Sequence, residues 1–149
     1  MAHRSLPELL TSYKERKHLL PLLKEVHELY GCLPREFIPE IARSLGLSVA
    51  EVYGVGTFYS FLSTRPQGKN VIRVCKSAPC WLRNSDLIIE TLKSELGIRP
   101  GETTRDGRFS LQLTNCIGAC DQAPAMMINN TIYVDLTPGK IRGILDGYE

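Results

Sequence analysis

Residues that could do chemistry are few in this chain, and the ones that stand out are cysteines. Four of the five form two pairs, Cys75 and Cys80 in "CKSAPC" and Cys116 and Cys120 in "CIGAC", with 35 residues between the pairs. Each pair directly follows a stretch that reads as a strand. If the two strands lie near each other in one sheet, their ends bring four thiols together above one edge. Three chemistries use such an arrangement. Structural zinc favours a tighter knuckle with two residues between its cysteines, and neither pair has it. A thiol-disulfide centre also wants two intervening residues, at a helix N-terminus, and it leaves the second pair without a role. A 2Fe-2S cluster takes two thiolates per iron and needs backbone N–H groups around its sulfides. Loops of four and three intervening residues can wrap it, and Gly118 allows the backbone to close. The spacing is not that of plant-type ferredoxins, so the scaffold is a different one. Spacing alone ranks iron-sulfur ahead of zinc and leaves all three open.

The elements that must position these pairs divide the chain at "STRPQGKN", its best linker. Before it the pattern is helical. Leu19, Leu22, Leu23, Val26, Leu29 and Tyr30 recur at spacings of three and four, which predicts one apolar helix face with Pro21 in the first turn and a stop at Gly31. "EFIPEIARSLG" predicts a second helix. "SVAE" predicts a capping box at the start of a third, with Ser48 and Glu51 satisfying each other's backbone amides. The run "VYGVGTFYSFL" holds two glycines and four aromatics (Tyr53, Phe58, Tyr59, Phe61) and reads as a buried helix end with close backbone approach.

Beyond the linker the pattern becomes β-α-β-β-α. "NVIRVC" is a strand delivering Cys75, and "NSDLIIETLKSELG" is a helix capped by Asn84 or Ser85. "FSLQLTNC" alternates with period two and carries Cys116 just past its end. "AMMINN" and "TIYVDL" predict a hairpin around Asn129 and Asn130, and Thr137-Pro138 opens a last helix. The expected architecture is α+β or α/β: an N-terminal helical bundle over residues 1–65, then a domain with a small mixed sheet over residues 66–149.

A chain of 149 residues buries a core without staples, so disulfides are not needed for stability. Eighteen basic and sixteen acidic residues give a net charge of +2 without long blocks, which excludes the electrostatic footprint of a nucleic-acid binder. No apolar stretch approaches a membrane span, and the opening residues lack the marks of a secretory or transit peptide. The expected compartment is a cytoplasm, with membrane association only through partners. Cysteines there are reduced, and an odd count argues against a disulfide framework. No G-x-G-x-x-G follows a strand, and no Walker A, Ser-His-Asp set or H-E-x-x-H appears. A chain with an electron carrier and no substrate site would exchange electrons with partners. Other residues weigh less. Cys32 lies outside both pairs and reads as a small core residue rather than a ligand. His3, His18 and His27 have no ligand spacing. Trp81 and Leu82 would either shield the site, meet a partner or pack on their own domain, and Arg83 is either a cation near a reduced cluster or a solvated one. Pro124 shapes the loop around the second pair.

The motifs "YGCLPREFIPEIA", "VYGVGTFYSFL", "VCKSAPCWLRNSD", "GIRPGETTRDGRF", "NCIGACDQAPAMMINN" and "DLTPGKIRGIL" stand in an order that resembles the small 2Fe-2S subunit of NADH dehydrogenase modules. That family is shared by respiratory complex I, NAD-linked hydrogenases and formate dehydrogenases. The resemblance runs from about Leu19 to the end and implies a thioredoxin-like ferredoxin domain behind a helical one. It assigns the cluster-ligand role to Cys75, Cys80, Cys116 and Cys120. It also implies that FMN and NADH belong to a larger partner subunit, reached through the N-terminal helices and cluster loops, and that further Fe-S subunits share the complex. "SAPCWLRNSD" leans towards the complex I branch, and the lack of a presequence towards a prokaryotic source. Position 32, usually aromatic in relatives, is a cysteine here. A zinc-stabilised adaptor is the competing expectation from a binding class, and a thioredoxin-like thiol oxidoreductase the competing enzyme.

Overall fold

The computed structural model describes residues 5–148. The chain forms two compact units, the first ending at Pro66 and the second beginning at Gln67. His3 lies outside the described residues. Among them no helix is long and apolar enough to cross a membrane.

Among the described residues the first unit holds four α-helices: α1 (Leu6–Ser12), α2 (Leu19–Tyr30), α3 (Ile38–Leu45) and α4 (Val49–Phe58). α1 is an element that the sequence pattern did not announce. It starts on a capping interaction, the Ser5 amide donating to Glu8 Oε2 at 2.8 Å, and it buries Leu6 and Leu9. In α2 the expected stripe is buried at Leu19, Leu22, Leu23 and Val26, but Tyr30 stays exposed. Its hydroxyl instead accepts the Leu6 amide at 3.2 Å, serving α1 rather than the core. α2 and α3 stop at Gly31 and Gly46, both left-handed. Ser48 Oγ caps α4 by accepting the Glu51 amide at 3.1 Å. The reciprocal half of that box is replaced: the Glu51 carboxylate pairs with Arg16.

α4 departs from expectation in one respect that matters later. Its aromatic run is exposed, with Tyr53, Phe58 and Phe61 at 40%, 79% and 42%, while only Val52 and Gly56 are buried along the helix. A helix that is apolar all round has no polar side to turn outward, so whatever it does not bury remains an apolar surface. Phe58, Tyr59 and Phe61 pack on one another with centroids 5.0 and 5.3 Å apart. The expected close approach holds at Gly56, where a Cβ would stand 3.1 Å from Leu33 Cδ1.

The second unit is a four-stranded sheet in the order β2-β1-β3-β4. Its strands are β1 (Asn70–Cys75), β2 (Phe109–Thr114), β3 (Met126–Ile128) and β4 (Thr131–Tyr133). The expected hairpin contributes both β3 and β4, so the observed order has one strand more than β-α-β-β-α. β1 and β2 run parallel, Cys75 opposite Thr114, and β3 and β4 add on antiparallel. Two helices, α6 (Ser85–Leu96) and α7 (Pro138–Asp146), share one core with Ile72, Val74, Leu111, Met126 and Ile128. Alternation puts these strand residues on one face, so both long helices cover that face of the sheet. The other face carries Arg73, Gln112 and Met127 in register.

Candidate metal centre

β1 and β2 are adjacent and parallel, so their C-terminal ends lie side by side, and each end opens into one cysteine loop. Cys75 is the last residue of β1. Its amide donates to the Ala125 carbonyl at 3.1 Å, tying the strand end to the loop before β3. Cys80 sits in a short helix, α5 (Ala78–Leu82), which the sequence pattern left as loop. The signal was present: Ser77 at the N-cap and Pro at the second helical position are start marks, but five residues are too few to show a period. Asn84, in a left-handed conformation, separates α5 from α6 as the latter's N-cap, without a side-chain cap bond. The second pair flanks a turn in which Gly118 has φ +86, a conformation that an L side chain resists.

The two pairs differ in exposure. Cys75 and Cys80 are each 1% exposed and pack with Ala123 and Ala125, whereas Cys116 and Cys120 are open to solvent. The sulfurs of Cys116 and Cys120 stand 3.1 Å apart, and the Gly118 amide donates to Cys116 Sγ at 3.4 Å. Hydrogen bonds from Cys120 and Gly118 hold the Cys116 thiol below its ordinary value. The same contact pushes Cys120 up to about 11, with burial and the charges of Cys116, Cys80 and Cys75 acting in the same direction. Burial raises Cys80, helped by its contact with Cys75 and opposed by the Ala125 backbone amide. The two pairs are therefore close enough for their charges to act on each other. Among the described residues no three cysteine, histidine or acidic side chains converge as a ligand set for one ion. The sulfurs are grouped as two pairs.

Other singled-out residues fall as follows. Cys32 is 7% exposed in the helical unit, and burial raises its thiol with Glu36 adding to the effect. Trp81 and Leu82 are 59% and 72% exposed beside Cys80, so neither is packed away on its own domain. Arg83 is exposed, and the Ala123-Pro124 peptide is cis. Arg73 was not singled out from sequence. It is half-buried on β1, and burial alone draws its guanidinium below the ordinary value.

Fold and geometry together define a class: an α+β domain with paired free thiols on adjacent strand ends. The family of thioredoxin-like [2Fe-2S] ferredoxins matches residues 6–149, and the chain belongs to that family. Among its relatives, an NADH-quinone oxidoreductase subunit of Rickettsia bellii (strain RML369-C) is 44% identical over 133 residues, covering 89% of this chain and 80% of that protein. The corresponding NADH-quinone oxidoreductase subunit of Escherichia coli (strain K12) is 42% identical over 127 residues, covering 85% and 76%. The NADP-reducing hydrogenase subunit HndA of Solidesulfovibrio fructosivorans is 33% identical over 147 residues, covering 98% and 86%. In fold the chain is similar to a crystal structure of an NAD+-reducing [NiFe]-hydrogenase in the H2-reduced state. There the TM-score is 0.73 at 23% identity, over 91% of this chain and 23% of that one.

The family's cofactor is a 2Fe-2S cluster, and the residues present suit one. The donors are soft thiols, grouped in twos, with backbone amides of Gly118 and Ala125 already directed at two of the sulfurs.

Proposed function

We propose that Cys75 and Cys80 hold one iron of a 2Fe-2S cluster and Cys116 and Cys120 the other, and that the chain is the electron-transfer subunit of an NADH:quinone oxidoreductase. The observation that carries this reading is the gathering of two thiol pairs at the ends of adjacent parallel strands, in a chain whose relatives at 44% and 42% identity are named as subunits of NADH-quinone oxidoreductase. When bound, the cluster supplies one-electron chemistry. The protein's part is to hold four deprotonated sulfurs, direct amides at them and keep water from Cys75 and Cys80. Electrons are exchanged with the flavin of a larger NADH-oxidising partner. The exposed aromatic run of α4, together with Trp81 and Leu82 beside the site, offers apolar surface for that partner. The complex would work on the cytoplasmic side, with membrane contact only through other subunits. The HndA relative supports a second reading, the equivalent subunit of an NAD(P)-linked hydrogenase. The same chemistry serves both.

Anaerobically purified protein is expected to be red-brown, with two irons and two acid-labile sulfides per chain and an EPR signal after reduction. Cys32→Ser keeps the cluster and Cys116→Ser disrupts it. Colourless protein with stoichiometric zinc refutes the reading, and iron loss in Cys32→Ser but not in Cys116→Ser overturns the ligand set.

A further inference from the structure

Arg73 stands on β1, between β2 and β3, and carries a charge that the fold itself does not explain. It lies two positions before Cys75, so its Cβ leaves the same face of the sheet about 7 Å back along the strand. That face is the one α6 and α7 do not cover. Arg73's neighbours across the strands are Gln112 and Met127, both uncharged. Its Nε is buried without a hydrogen-bond partner, and its side chain makes no ion pair or hydrogen bond among the described residues. A half-buried guanidinium with no counter-charge is costly to keep, because its hydration is lost and nothing replaces it. Methionine or leucine would fill the same place at lower cost, so the charge itself needs an account.

The only strongly negative group that the proposed function brings to this strand is the cluster at Cys75. Its four thiolates and two sulfides outweigh the iron charge, and the excess grows by one when an electron enters. We infer that Arg73 is an electrostatic positioning residue for the cluster: its fixed charge stabilises the reduced state more than the oxidised state and so raises the reduction potential. No bond forms or breaks in this step. One electron enters, no proton is required, and the arginine stays charged throughout.

Arg83 is the rival cation. It is nearer in sequence to Cys80 but exposed, where water and salt screen it. Arg73 is half-buried with its Nε shut off from water, so screening by salt is weaker there. The two are therefore separable by salt as well as by substitution.

The experiment is a redox titration of the full chain, purified anaerobically with its cluster, followed by visible absorption and EPR. Arg73→Met should make one-electron reduction about tenfold less favourable, a fall of about 59 mV in midpoint. Arg73→Lys should keep most of the wild-type value. Gln112→Glu leaves Arg73 in place but sets a carboxylate opposite it, and it should lower the midpoint in the same sense. Arg83→Gln should change little, and less still at 0.5 M salt, where the Arg73→Met shift persists. Unmoved midpoints in both Arg73→Met and Gln112→Glu overturn the inference. So does an equal fall in Arg73→Met and Arg73→Lys, which would make shape rather than charge the cause. Loss of the cluster in both Arg73→Met and Gln112→Glu overturns it as well, by making the position structural. The inference rests on the proposed ligand set, and the two fail differently: a colourless wild type refutes the ligand set, whereas a coloured wild type with unmoved variants refutes only the role of Arg73.

Discussion

Gly68→Ala tests how the sheet that carries the cysteines is held at its far end. Gly68 lies just before β1, and its amide donates to Ser110 Oγ at 2.7 Å. Next to it the Lys69 and Asn70 amides donate to the carbonyls of Gly107 and Arg108, both at 2.9 Å. A Cβ at position 68 would meet Gly107 O at 2.8 Å, Phe109 C at 2.9 Å and Phe109 N at 3.0 Å. All three are backbone atoms, so no side-chain rotation relieves the contact. Alanine gains about 0.4–1 kcal/mol through a less flexible unfolded chain. Against this stand an overpacking cost of about 1–3 kcal/mol and the weakening of amide hydrogen bonds worth about 1 kcal/mol each. The net expectation is a loss of about 1–3 kcal/mol, a Tm lower by roughly 5–15 °C for a unit of this size. Urea and thermal unfolding of the cluster-free protein measure it. Fluorescence of Trp81, the chain's one tryptophan, reports on the second unit alone. A Tm equal to or above the wild type would refute the claim that the backbone cannot yield here.

Two further outcomes follow from the same unit. Asn129 stands at φ +53 in the hairpin, its Oδ1 accepting the Val71 amide at 2.9 Å, so Asn129→Ala should cost about 2–4 kcal/mol from the orphaned amide and the left-handed backbone together, and Asn129→Gly about 1–2 less, by urea denaturation. Tyr133 Oη and Tyr148 Oη are 2.8 Å apart, and this bond, with burial, pushes Tyr133 up to about 12 from 10.0. The raised value favours the neutral phenol, so the stabilisation is full below pH 10 and is lost as pH rises from 10 to 12. Tyr148→Phe should return the Tyr133 ring titration, followed by NMR, towards 10 and flatten that alkaline loss of stability.

Much of this architecture was legible because period and position agreed. The three- and four-residue spacing of Leu19, Leu22, Leu23 and Val26 marks α2, and the alternation in "FSLQLT" marks β2, since each element buries one side. The cysteine pairs were legible through those strands: once β1 and β2 end together, both cysteine loops open from the same end of the sheet. What was not legible depended on contacts made across the chain. α1 is held by Tyr30 at the far end of α2, and Glu51 is taken by Arg16 instead of closing its own capping box. α5 is too short for a period, and the cis peptide before Pro124 leaves no mark in the residue types.

The exposed aromatics of α4 show a different limit. Apolar composition signals burial, but it does not say against what. The sequence pattern alone turned Phe58 and Phe61 inward; in the structure they remain outside, with Trp81 and Leu82 likewise exposed beside the cysteines. The same asymmetry runs through the thiols. The chain closes its own fold over Cys75 and Cys80 and leaves Cys116 and Cys120 open, so on the proposed ligand set Cys75 and Cys80 would hold one iron away from water, while Cys116 and Cys120 would hold the other at the surface. Two exposed thiols, and two uncovered apolar side chains next to Cys80 in the chain, leave this end of the sheet open. A partner that covered the open pair would shed water from it, joining docking to protection of the cluster. An isolated subunit should therefore lose its cluster to air or chelator faster than the assembled one.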